Sequence, residues 1–333
     1  MKNRNTQKLI LVGFTLFLYA AALSGCNSSS NVISTPKSTP TPFPANTTEK
    51  DFTQEEIEQS IQDYNKAIEL NPNDATALNN RGLAYALSGD FEQAMRDYNK
   101  AVELNPDFAE AYNNRGNTHN DIGNLEQAIQ DFNKAIQLTP DFALAYSNRG
   151  RTYTQIGNLE QAIQDYNKAI ELDSNLALAY AGRGYVYINF NELDQAFQDC
   201  NRAIELDPYI ALAYSCRGLT NAIKGDVEKA IQDFTKAIEL PPPGGDVGTY
   251  INRGLAYAIS GDYEKAIQDY NEAIELNPND AETHLLRGDA YAASGYLEEA
   301  ILDFELYLEL APNASNREEI LDTIEEIKSV LNK

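Results

Sequence analysis

Residues 75–108 read ATALNNRGLAYALSGDFEQAMRDYNKAVELNPDF, and this stretch decides the fold of the whole chain. Its Arg81-Gly82 pair returns with Gly116, Gly150, Gly184 and Gly218, each 34 residues on. A step of 36 then leads to Gly254 and a step of 34 to Gly288. A fixed period of this length belongs to stacked supersecondary units, not to one closed core. Within the unit, Gly89-Asp90 stops a first helix. Glu92 to Leu104 forms a second, stopped by Asn105-Pro106. Each unit is helix A, turn, helix B, turn.

Numbering the unit from Ala75 places small residues at positions 8 and 20 (Gly82, Ala94) and aromatics at 11 and 24 (Tyr85, Tyr98). The small residues let the two helices approach, and the aromatics fill the space beside them. Ala101 at 27 and Pro106 at 32 complete a pattern that resembles the tetratricopeptide repeat (TPR) family. Full copies begin at Ala75, Ala109, Ala143, Ala177, Ala211, Val247 and Ala281. The resemblance implies an all-α, right-handed α-solenoid of helix–turn–helix repeats.

Residues 53–74 match only helix B, opened by a Thr53/Glu56 capping box. Residues 75–314 hold the seven repeats. Residues 315–333 form a capping helix, opened by Ser315-x-x-Glu318, with Ile320, Ile324, Ile327 and Leu331 on one apolar face. Pro241-Pro242-Pro243-Gly244-Gly245 lengthens the loop before the sixth copy, a tolerated insertion because loop length costs little. Residues 1–25 have the form of a signal peptide: basic Lys2, Arg4 and Lys8, then an apolar run from Leu9 to Leu23 too short to span a membrane. Leu23-Ser24-Gly25-Cys26 resembles a bacterial lipobox, which implies cleavage before Cys26 and lipid on its thiol. Residues 26–52 then read as the lipidated cysteine and a Ser/Thr/Pro-rich tether. The expected location is the cell envelope, on the extracytoplasmic or periplasmic side of a membrane.

Formal charge is −24; without the three basic signal residues it becomes −27. Such a chain repels nucleic acid and anionic lipid, so no nucleic-acid partner is expected and any membrane contact is the lipid's. His119 and His284 stand at packing positions. No phosphate loop, Cys-x-x-Cys pair or nucleophile–base pair is present, so no enzyme activity, cofactor or metal is expected.

Arginine recurs at position 7 from Arg81 to Arg287, and aspartate at position 23 from Asp97 to Asp303. Their matched period predicts an Arg–Asp ladder between helices. Cys200 and Cys216 fall at positions 24 and 6. An oxidising compartment could join them, but position 24 faces the interior and position 6 the groove, so two separate thiols are expected.

The family resemblance implies that helix A lines a concave groove with positions 2, 5, 6, 9, 12 and 13. In peptide-binding members, asparagine at position 6 holds the ligand's main chain; Asn80, Asn114, Asn148 and Asn252 match it here, whereas Gly182, Cys216 and Leu286 do not. Asn79, Asn113, Asn117 and Arg151, with Asn120 and Gln155, extend this amide-rich half, whose donors and acceptors suit a peptide backbone. The later copies present an apolar strip that includes Leu219, Ile223, Leu255 and Ile259, for which docking and burial fit the sequence equally. The expected function is a non-catalytic, lipid-anchored scaffold that binds protein or peptide segments. The rivals are a self-associating structural protein using the apolar half, and an accessory subunit of an envelope enzyme.

Overall fold

The computed structural model describes residues 53–240 and 245–332; the signal, lipobox, tether and most of the Pro-Gly loop lie outside them. Among the described residues there are sixteen helices and no strands. Helix α1 (Gln54–Leu70) is the lone helix B. Seven A/B pairs follow: α2 (Ala75–Leu87) with α3 (Phe91–Leu104), α4 (Ala109–Asp121) with α5 (Leu125–Leu138), α6 (Ala143–Gln155) with α7 (Leu159–Leu172), α8 (Ala177–Asn189) with α9 (Leu193–Leu206), α10 (Ala211–Ile223) with α11 (Val227–Glu239), α12 (Val247–Ser260) with α13 (Tyr263–Leu276), and α14 (Ala281–Ser294) with α15 (Leu297–Leu310). Helix α16 (Arg317–Leu331) closes the stack. Each helix A packs on its own B, on the preceding B and on the next A.

The close approach is visible at Gly116, where an added Cβ would sit 2.8 Å from the Phe132 ring. Position 24 therefore lies over position 8 of the same repeat. The A–B turns pass through glycines in the left-handed region, such as Gly89 at φ 81°; Asn191 takes that role in the fourth repeat at φ 58°. The Thr53/Glu56 capping box forms as expected. The Ser315/Glu318 box does not. Asn316 is the N-cap of α16, and its side chain accepts a 2.6 Å bond from the Tyr307 hydroxyl. Tyr307, which replaces the small residue at position 27, is thus spent on fastening the cap. Ile320, Ile324 and Ile327 are buried, while Leu331 is exposed at the fraying end.

Candidate functional site

The inner face is held in register by the position-7 arginines. Arg81 donates to both carboxylate oxygens of Asp97 at 2.7 and 2.6 Å, and to Asn65 Oδ1 of the preceding helix B at 2.7 Å. The two-bond Arg–Asp pairing occurs in all seven repeats, through to Arg287 on Asp303. Tyrosine rings at positions 4 and 11 lie beside the guanidinium, as Tyr146 and Tyr153 do at 5.5 and 5.8 Å from Arg149. The hydrogen bond to Asp97 holds the Arg81 guanidinium above its ordinary pKa against the opposing effect of burial. Where position 11 lacks tyrosine, Asn221 donates to Asp233 instead at 2.9 Å.

The position-25 partner is a residue that the sequence reading missed. Asn65, Asn99, Asn133, Asn167, Asn201 and Asn271 each accept from the next arginine, with Thr235 standing in once. Their period was visible, but an exposed-looking asparagine beside a charged residue carries no mark of what it meets. In the last repeat Glu305 holds this place and pairs with Lys328 of the cap at 3.2 Å.

The inner asparagines form one buried chain. Asn148 donates to Asn113 at 3.0 Å, Asn113 to Asn114 at 3.4 Å, Asn114 to Asn79 at 3.1 Å, and Asn79 to Asn80 at 3.1 Å. Positions 5 and 6 of successive A helices thus bond one another, and all five amides are buried. Asn252 is buried too, with no partner for its Oδ1. The chain stops after Asn148 because Ala181 and Gly182 follow at these positions.

Position 9 is different: it carries Leu83, Asn117, Arg151, Tyr185, Leu219, Leu255 and Asp289 in turn. Arg151 reaches back one repeat, 3.5 Å from Asn117 Oδ1 and 3.6 Å from Asp121. Burial lifts the Asp121 carboxyl above its usual range, with Arg151 opposing. Asp289, beneath the cap, is pushed up to about 7 by burial and by Glu319. In the apolar half Leu219 and Leu255 are fully buried, so packing accounts for them. Ile223 is half-buried and Ile259 exposed, which leaves the strip only its rim at position 13.

Cys200 and Cys216 are joined by a disulfide with Cα atoms 5.9 Å apart, which corrects the expectation of separate thiols. Position 6 does not open to the groove. It faces the preceding helix B, as Tyr64 bonding Asn80 and the Tyr166 ring over Gly182 also show. In the fourth repeat both sulfurs lie over Gly184, within 3.0 Å of where its Cβ would be. They occupy the place of the position-24 ring.

His284 bonds Asp303 at 3.4 Å and the Pro278 carbonyl at 3.0 Å, while His119 lies 4.0 Å from Asp131 with its pKa lowered by burial. Among the described residues no three His, Cys, Asp or Glu side chains are placed to hold a metal. No described helix is long and apolar enough to cross a membrane.

A stack of paired helices with a graded inner face defines an α-solenoid built for contact. The family model described as TPR repeat matches residues 50–89, 82–123, 116–157, 150–189 and 254–295, and one described as tetratricopeptide repeat matches 177–210, 213–243 and 281–314. The chain belongs to the tetratricopeptide repeat family. No curated protein matches it. Among solved structures, the APC/C hetero-tetramer Cut9-Hcn1 matches at 21% identity and TM-score 0.69, covering 80% of this chain and 52% of that one, so this chain spans about half its length. A tetratricopeptide repeat protein from Parabacteroides merdae matches at 22% identity and TM-score 0.52, covering 81% and 99%. Yeast Tom70 matches at 17% identity and TM-score 0.52, covering 99% and 74%. At these identities the likeness is one of fold.

Proposed function

We propose that this protein is a non-catalytic scaffold of the cell envelope, anchored through lipid on Cys26, that holds polypeptide segments along its inner face. The observation that carries the binding role is the part-exposed Arg151 at position 9, reaching back to Asn117 and Asp121 on a frame that otherwise repeats. Arg151 and Gln155 meet the partner first, with Asn117 and Asp121 behind Arg151 and the buried layer of Asn79, Asn80, Asn113, Asn114 and Asn148 beneath them. The rim residues Ile223 and Ile259 take an apolar side chain. The disulfide supports an oxidising compartment.

Crosslinking from native membranes, followed by mass spectrometry, tests the groove. A partner captured by wild type and lost with Arg151→Ala/Asn117→Ala supports it, and an unchanged partner list moves the site elsewhere. Radiolabelled palmitate incorporated by wild type and absent from Cys26→Ser supports the anchor; no label in wild type refutes it.

A further inference from the structure

Twelve large apolar side chains are exposed among the described residues, and three of them share one place in the repeat. Ile122, Ile156 and Phe190 stand at position 14, the residue that ends helix A, in repeats two, three and four. They are 41%, 48% and 39% exposed. The same place holds Ser88, Lys224, Ser260 and Ser294 in the other repeats, on turns of the same left-handed glycine geometry. The fold therefore does not require apolar residues there. Leu125, Leu159 and Leu193, half-buried across the turn at position 17, widen the strip.

Its charge is one-sided. Glu126, Glu160 and Asp194 follow at position 18, all exposed, and Glu192 adds a fourth acid. Residues 121–128, 155–162 and 189–196 contain no lysine or arginine. Lys224 bounds the strip on the fifth turn, already bonded to Asp194 at 2.6 Å and lying over the Phe197 ring. Ser88 bounds the other end. Neighbouring helices pack about 8–10 Å apart. Residues seven apart on an α-helix are separated by about 10.5 Å. Three apolar anchors one repeat apart thus match apolar side chains at heptad spacing on a straight helix.

We propose that this edge, formed by the turns of repeats two to four, is a docking strip for a cationic amphipathic helix of a partner protein. Its apolar residues supply the contact and its acids select a lysine- or arginine-rich partner. A second copy of this strongly acidic chain would be repelled from the strip, as would an anionic membrane.

The test uses the full chain and a synthetic 21-residue peptide of three heptads, with leucine at the first and fourth positions and lysine and alanine elsewhere. A glutamate twin of the same register is the control, and affinity is read by fluorescence anisotropy. Ile122→Ser/Ile156→Ser/Phe190→Ser installs what three sister repeats already carry, so its circular dichroism and urea midpoint should match wild type. It should weaken the lysine peptide by at least about tenfold. Glu126→Gln/Glu160→Gln should flatten the salt dependence. No binding by wild type, equal affinity for the triple variant, or equal affinity for the glutamate twin each overturns the proposal. So does sedimentation that finds wild type self-associated and the triple variant monomeric.

Discussion

Removing one side of an Arg–Asp joint should cost different amounts according to which side goes. In Arg81→Met, the Asp97 carboxylate loses both of its arginine bonds, of 2.7 and 2.6 Å, while it is almost fully enclosed. A buried charge left without its partner costs about 3–5 kcal/mol. In Asp97→Leu, the guanidinium keeps Asn65 at 2.7 Å and the Tyr85 ring at 5.8 Å, and it is one-fifth exposed. We therefore expect a smaller cost, about 2–3 kcal/mol. The double variant leaves no orphaned charge and should fall short of the sum by about 2 kcal/mol. Urea unfolding followed by circular dichroism gives the totals. Amide exchange in α1, α2 and α3 places the loss, because solenoid stability is a sum of local terms. Two single costs that add within about 0.5 kcal/mol would refute the coupling. A costlier Asp97→Leu would refute the role assigned to Asn65.

Gly182→Ala should destabilise by about 1–3 kcal/mol, since its Cβ would stand 2.4 Å from the Tyr166 ring; a Tyr166→Leu background should recover most of that loss in the same urea assay. Cys200→Ala/Cys216→Ala should lose about 3 kcal/mol from the 16-residue closure, and reductant should no longer shift the thermal midpoint. Cys200→Tyr/Cys216→Gly copies the neighbouring Tyr166–Gly182 joint, so it should restore stability without redox sensitivity; a midpoint no higher than the alanine pair's would count against that match. The Asp289 carboxyl is raised from 3.8 to about 7, so the folded state binds its proton more tightly than the unfolded state does. Its contribution to stability is present below pH 3.8 and lost as pH rises to about 7. Asp289→Asn should therefore raise stability above pH 7 by more than ~1 kcal/mol and flatten this window in a pH series of urea midpoints.

The repeat frame was legible in the sequence because its causes recur. Gly82 and its counterparts, Ala94 and its counterparts, and the Arg81–Asp97 pairing each appear seven times, and one copy explains the rest. The surroundings of position 6 were not legible. A helical wheel places Asn80 and Cys216 on the face opposite Gly82, but it does not show how far the preceding helix B covers that face. The ring of Tyr64 and the sulfur of Cys200 do cover it, so the asparagines expected to meet a ligand meet one another. The Ser315 box failed for a related reason: Asn316, one residue on, has Tyr307 within reach, and no local pattern includes a tyrosine nine residues upstream.

Three of the departures from the period fall in the first five repeats. The asparagine chain runs through repeats one to three, the apolar turns through two to four, and the disulfide ties four to five. In a solenoid each repeat is supported by its neighbours alone, so a stiff joint at one place does not stiffen the rest. The asparagine bonds and the disulfide both join a helix A to the repeat before it, which is the movement that would open or close the inner face. Fixing the joint between repeats two and three holds Arg151 and Asp121 at a set spacing, and it keeps Ile122 and Ile156 in register. A partner bridging two or three repeats then meets surfaces already in register and gives up less free energy in ordering them. The N-terminal half, where both surfaces include the stiffened second and third repeats, is accordingly where we expect recognition to concentrate. Truncation after the fifth repeat should therefore cost partner capture far less than unlocking the second and third by Asn113→Ala/Asn148→Ala.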